Sequence, residues 1–70
     1  MEEKKISISE RIKYWRNEKG LTQDALSKLA DIPYTTLAKI ESDVVKRPSI
    51  QTIMKIAKGL GVTIDELINV

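Results

Sequence analysis

Cysteine and histidine are both absent from this sequence. Their absence excludes disulfides, zinc sites built on thiolate or imidazole, and any Cys–His or Ser–His–Asp catalytic arrangement. A chain without thiols also fits a reducing compartment. No apolar run approaches the roughly 18–20 residues a membrane span needs. The opening stretch, Met1 to Lys5, is charged, with no apolar signal-peptide segment behind it. A soluble, cytoplasmic protein without membrane contact is expected. There is no glycine-rich phosphate loop. The acidic pairs Glu2-Glu3 and Asp65-Glu66 are sequence neighbours at a frayed terminus and a helix start, and neither builds a pocket. Catalysis, a metal and a cofactor are therefore not expected. Nor is a small-molecule substrate, because so small a domain has no room for such a pocket beside its core.

What is present fits one small domain. Seventy residues bury only roughly 60–65% of the surface an unfolded chain exposes, which allows a single core. Residues 1–70 read as one unit, with 1–6 as a frayed N-terminal arm. The formal net charge of +2 is unevenly spread. Between Arg11 and Lys58 ten basic residues face five acidic ones, so the middle carries about +5 while acids collect at the ends. A solvated charged surface would look much the same.

The chain divides into five short helices. Ser7 and Glu10 have the spacing of a capping box, followed by Ile8, Ile12 and Trp15 on one face, and Gly20 ends that helix. Thr22 caps a second helix with Asp24 in its first turn and an apolar face of Leu26, Leu29 and Ala30, stopping around Ala30-Asp31-Ile32. Pro33 belongs at or just before the start of a third, which buries Leu37 and Ile40 and ends near Ser42-Asp43. Pro48-Ser49 opens a fourth, with an apolar stripe of Ile50, Ile53, Met54, Ala57 and Leu60 capped by Gly61. Thr63 and Glu66 make another capping box for the last helix, which runs to the chain end. No stretch alternates with period two, so the fold class is all-α. Core candidates are Ile8, Ile12, Trp15, Leu21, Leu26, Ala30, Ile32, Leu37, Ile40, Ile50, Ile53, Met54, Ala57, Leu60 and Leu67.

The second and third helices are each about two turns long with a very short connection. So little chain forbids an antiparallel hairpin, and they must cross steeply. In that geometry one helix lies over the DNA backbone and the next enters the major groove. On a helical wheel Leu37, Ile40 and Glu41 gather on one side of the third helix, with Thr35, Ala38, Lys39 and Ser42 on the other. A cation, hydroxyls and methyls can meet guanine acceptors and thymine methyls. Tyr34, at the helix start, could reach a base edge or a phosphate. Any surface helix also shows a polar outer face, so the wheel alone does not decide.

The stretches Leu21-Thr22-Gln23, Leu26, Thr36-Leu37-Ala38-Lys39-Ile40-Glu41, Arg47-Pro48-Ser49 and Ala57-Lys58-Gly59-Leu60-Gly61-Val62 together resemble the lambda-repressor-like helix-turn-helix family of phage repressors, Cro proteins and small regulators. The similarity covers about residues 7 to 69. It implies a compact five-helix DNA-binding domain whose recognition helix, about 34–42, sits in the major groove of double-stranded DNA. It implies a sequence-specific, repressor-like transcriptional regulator. Carried over by position, Tyr34, Thr35 and Lys39 read bases, while Gln23, Ser42, Lys46 and Arg47 contact phosphates. For Gln23 the alternative is a plain cap neighbour, and for Lys46 and Arg47 a solvated loop. Arg16 and Glu41 match a structural salt bridge, and an unpaired carboxylate on the inner side of the third helix would be costly. Two positions depart from the family pattern. Asp31 stands where the turn usually has Gly, and Pro33 replaces the usual Ser or Thr cap.

One short helix reads few base pairs, so a homodimer on an inverted repeat is expected, with half-sites about one DNA turn apart. The last helix offers the dimer surface, through Ile64, Ile68 and Val70. The competing reading is an antitoxin or adaptor whose main contact is a partner protein.

Overall fold

The computed structural model describes residues 7–68; the expected frayed arm 1–6 and Val70 lie outside the described residues. Five helices follow in order: α1 (Ile8–Glu18), α2 (Gln23–Ala30), α3 (Tyr34–Glu41), α4 (Ile50–Leu60) and α5 (Ile64–Ile68). No strand occurs among the described residues.

Local chemistry sets where each helix starts. The Ser7 hydroxyl accepts from the Glu10 amide at 3.2 Å, and Glu10 accepts from the Ser7 amide at 3.3 Å. Thr63 and Glu66 repeat that reciprocal pair at 3.0 and 2.9 Å. Thr22 and Ser49 each accept one amide, from Ala25 and Thr52. Such caps satisfy first-turn N–H groups that have no intrahelical partner. Pro33 caps α3 without a side-chain bond, so α3 alone of these starts has no hydroxyl on its first-turn amides.

The first four helices end in one shared way. Gly20, Asp31, Asp43 and Gly61 all have positive φ, between 58° and 74°. The amide after each reaches back to the helix: Leu21 to Arg16, Ile32 to Ser27, Val44 to Lys39 and Val62 to Ala57, all at 2.9 or 3.0 Å. These are Schellman closures, which satisfy terminal carbonyls and turn the chain sharply. Two of the four use aspartate, which tolerates the left-handed conformation better than most residues but not as well as glycine.

Apolar packing then fixes the arrangement. α2 packs most extensively on α4, α3 sits against α1 and α2, and α5 closes the bundle against α1 and α4. Ile12, Leu26, Leu37, Ile40, Ile56 and Leu67 are fully buried, with Ala30, Ile53, Ala57 and Leu60 beside them. Ile8, Trp15, Leu21, Ile32 and Val62 pack on that core from its edge. Arg11 donates to the carbonyls of Leu67 and Glu66 at 3.1 and 2.8 Å, and the Trp15 indole donates to Glu66 O at 3.3 Å. α1 thereby holds the carbonyl end of α5.

Two core candidates lie outside: Ile50 and Met54 are each more than half exposed, as is Leu29 on the apolar face of α2, whereas Ile56 is fully buried. At about 100° per residue, Ile50 and Met54 occupy one edge of the α4 apolar surface and Ile56 the other. The helix is rotated so that the Ile53–Ile56–Ala57–Leu60 row meets the core. Apolar spacing on a helix with apolar residues on several rows does not say which row a neighbour will cover.

α2 and α4 approach closely at Gly59. A Cβ there would lie 2.9 to 3.1 Å from the amide nitrogen, Cα and Cβ of Ala30. Gly→Ala inside a helix normally stabilises by about 0.5–1 kcal/mol. Here the backbones must separate, at a cost of about 1–3 kcal/mol. Gly59→Ala is therefore predicted to lower the thermal midpoint. Asp31→Gly relieves the strained φ of 58° and is predicted to raise stability by about 0.5–1 kcal/mol. Opposite shifts in urea unfolding test both; a gain from Gly59→Ala would contradict the close approach.

Candidate nucleic-acid interface

α2 and α3 are joined by Asp31, Ile32 and Pro33 alone. The left-handed Asp31 and its Schellman closure turn the chain out of α2. Pro33, at φ −61° and ψ 142°, directs it into α3. Both helices have eight residues, and both bury their inner faces on the shared core.

Beneath α3 lies a buried carboxylate. Glu41 is 2% exposed, yet its side chain is fully engaged. Arg16 of α1 donates through Nε to Oε2 at 2.9 Å and to Oε1 at 3.2 Å, while its Nη1 donates to Leu21 O at 2.8 Å. Gln23, the first residue of α2, donates from Nε2 to Glu41 Oε1 at 3.0 Å. The Ser9 hydroxyl donates to the Glu41 carbonyl at 2.6 Å. Among the described residues no buried side-chain nitrogen or oxygen lacks a partner, and that is the condition under which a buried polar network is tolerated.

The network reaches the surface at Tyr34. Its hydroxyl donates to Gln23 Oε1 at 3.3 Å, and the ring is 49% exposed. The carboxylate on one side of Gln23 requires the amide N–H₂, which leaves the amide oxygen for the phenol. A chain of bonds thus runs Arg16–Glu41–Gln23–Tyr34 through α1, α3 and α2. Gln23 keeps a second N–H beyond the one given to Glu41.

The structure places the remaining candidates as follows. Thr35 and Lys39 are exposed on α3, away from Leu37, Ile40 and Glu41. The Lys39 ammonium has no ion pair among the described residues. Ser42 is exposed and donates its hydroxyl to Lys39 O at 3.2 Å, so its one proton must be redirected for it to meet a phosphate. Lys46 pairs with Asp43 at 2.7 Å, both partly exposed, so part of its charge is neutralised locally. Arg47 is exposed in the same loop. On α5, Ile64 is half-buried against the core and Ile68 is 51% exposed.

The contact between Gln23 and Tyr34 was not legible beforehand. Each stood out singly, but a bond between residues eleven apart depends on the crossing of two helices. Ser9 gave no signal either, because an early helix serine reads as solvent-facing.

Removing the buried carboxylate leaves a guanidinium 17% exposed without its partner. Breaking a buried pair typically costs about 3–5 kcal/mol, and the residual exposure of Arg16 argues for the lower end. Glu41→Ala is predicted to lower the thermal midpoint by more than about 10 °C in a domain of this size. A midpoint within about 3 °C of the parent would show that Glu41 does not anchor α3.

This geometry can be compared with known proteins. The HTH-type transcriptional regulator SinR of Bacillus licheniformis is 36% identical over 62 residues, covering 89% of this chain and 56% of that protein. The chain thus spans about half the length of that relative. The N-terminal DNA binding domain of SinR from Bacillus subtilis superposes with a TM-score of 0.83 at 33% identity, covering 90% of this chain and 91% of that one. A crystal structure of SinR, master regulator for biofilm formation, in complex with DNA gives the same TM-score at 34% identity over 89% of this chain and 98% of that one. The family model described as Helix-turn-helix matches residues 12–67. With its two short helices crossing over a three-residue turn and that match spanning most of its length, the chain belongs to the helix-turn-helix family.

Proposed function

We propose that this chain binds double-stranded DNA sequence-specifically as a repressor-like transcriptional regulator, with α3 in the major groove. The observation that carries the reading is the division of α3. Its inner side is locked through Leu37, Ile40 and the Glu41 network, while Tyr34, Thr35 and Lys39 stand exposed on the other side. A rigid helix presenting one cation, hydroxyls and an aromatic tip suits base edges. The DNA complex of SinR, a protein of the same fold, supports it.

In this reading Tyr34, Thr35 and Lys39 touch bases. Gln23 offers its second N–H to a phosphate from the N-terminus of α2, where free backbone amides also favour an anion. Ser42 with Lys46 and Arg47 flank the groove. Lys46 reaches a phosphate by exchanging Asp43 for it. The protein acts where DNA is, in the cytoplasm on the nucleoid, and needs no cofactor. A homodimer on an inverted repeat supplies the specificity one short helix lacks, with Ile68 and the outer edge of Ile64 as the contact. Sedimentation that stays monomeric with operator DNA present would rule the dimer out.

An adaptor or antitoxin role is the second reading. The exposed apolar residues Ile50 and Met54 on α4 favour it, and it is compatible with DNA binding.

Two substitutions separate reading from anchoring. Lys39→Ala is predicted to change which duplexes bind. Lys46→Ala is predicted to weaken all duplexes alike and to reduce the slope of log affinity against log salt by about one. Titrations at several salt concentrations on matched and unmatched duplexes measure both. Identical behaviour of the two variants would contradict the assignment.

A further inference from the structure

The outer side of α4, whose exposed Ile50 and Met54 favour the adaptor reading on which this inference rests, takes no part in the proposed DNA interface. α4 packs on α2, α5 and α1, and the row that meets them is Ile53, Ile56, Ala57 and Leu60. At about 100° per residue Ile50 and Met54 lie next to each other at the edge of that row, and Lys58, Gln51 and Lys55 follow on the side away from it. Ile50 is 63% and Met54 51% exposed. A shallow groove runs beside them, lined by Gln51, Met54, Lys55 and Lys58, with walls that are mostly apolar. Exposed methionine in a groove is an adaptable apolar surface of the sort used to grip partner helices.

Charge indicates the partner. α4 contains no acidic residue. Exposed Lys28 and Lys46 are paired with Asp24 and Asp43, whereas the side chains of Lys55 and Lys58 have no ion pair or hydrogen bond among the described residues. A second copy of the chain has little to offer them. Its Glu10 and Glu66 cap their own helices, Glu41 is buried, Asp24 and Asp43 pair with Lys28 and Lys46, and Asp65 has a partner within the chain. Among the described residues only Glu18 and Asp31 remain uncommitted, one at the end of α1 and one in the turn after α2, so no one helix of a second copy brings two free carboxylates to this face.

We propose that the outer face of α4 docks an acidic amphipathic helix of a partner protein. Two apolar side chains of that helix, one turn apart, pack along Ile50 and Met54. Its aspartates or glutamates lie beside them, over Lys55 and Lys58. The surface is separate from α3, so one molecule can hold DNA and the partner together.

The test uses the whole chain and a displayed library of helical peptides, randomised along one face and selected at near-physiological salt. Enriched peptides should carry paired apolar residues with adjacent Asp or Glu. A recovered peptide should shift amide resonances of residues 50–58. The doubly substituted Lys55→Glu, Lys58→Glu protein should bind it at least about tenfold more weakly, since like charges then face each other. Exchanging the peptide's acids for lysines should restore that binding. Both substitutions are at exposed sites, so the variant should keep its far-UV circular dichroism. Selection without acidic enrichment, or equal affinity for the charge-reversed protein, would overturn the proposal. So would resonance shifts centred on α3, which would mark the peptide as a DNA mimic. Parent self-association abolished by the same substitutions would overturn it too, by making a second copy the occupant.

Discussion

Glu41 sits at the point where three helices meet, with a charge that water cannot reach. Removing a carboxylate from water costs several kcal/mol, and a pair such as Arg16–Glu41 recovers that only when its remaining bonding capacity is met. Here α1 supplies the guanidinium and the Ser9 hydroxyl, and α2 supplies the Gln23 amide. The consequence is positional more than energetic. Apolar contacts at Leu37 and Ile40 would tolerate some rotation of α3 about its axis, but rotation by one residue would carry Glu41 out of reach of both donors. The network therefore fixes which residues α3 turns outward. Because Gln23 also accepts from Tyr34, the same bonds that hold the inner side set the position of an outer side chain.

A second constraint is the manner of ending helices. With four Schellman closures the chain reverses or turns within a few residues each time. Connections that short leave little freedom between α1, α2 and α3. Aspartate at two of the four left-handed positions costs some stability. At Asp43 the side chain is also committed, through its ion pair to Lys46. The loop that follows α3 is thus tied to the end of α3, and a cation suited to phosphate is held near the helix it would support.

Legibility in the sequence followed range. Helix starts and stops were readable because caps, boxes and left-handed residues act over three to five positions: Ser7 with Glu10, Thr63 with Glu66 and Gly61 all did what their spacing predicts. The buried side of α3 was readable because Leu37, Ile40 and Glu41 share one wheel sector. The facing of α4 was not, because its apolar residues occupy several rows and the helices packed on it, α2 above all, decide which row is covered. Nor was the Gln23–Tyr34 bond, which exists only after α2 and α3 have crossed. The left-handed conformation of Asp43 had a local sign, an apolar residue directly after it as at Gly20, Asp31 and Gly61. That sign is weak without a glycine to draw the eye.

The central claim is that the locked α3 presents a sequence-reading face, used in pairs. The most direct measurement is selection from random duplex DNA with the purified chain at near-physiological salt, followed by sequencing of what is retained. The account predicts enrichment of an inverted repeat whose half-sites lie about one helical turn apart. Retention without sequence enrichment, or no retention, would contradict it.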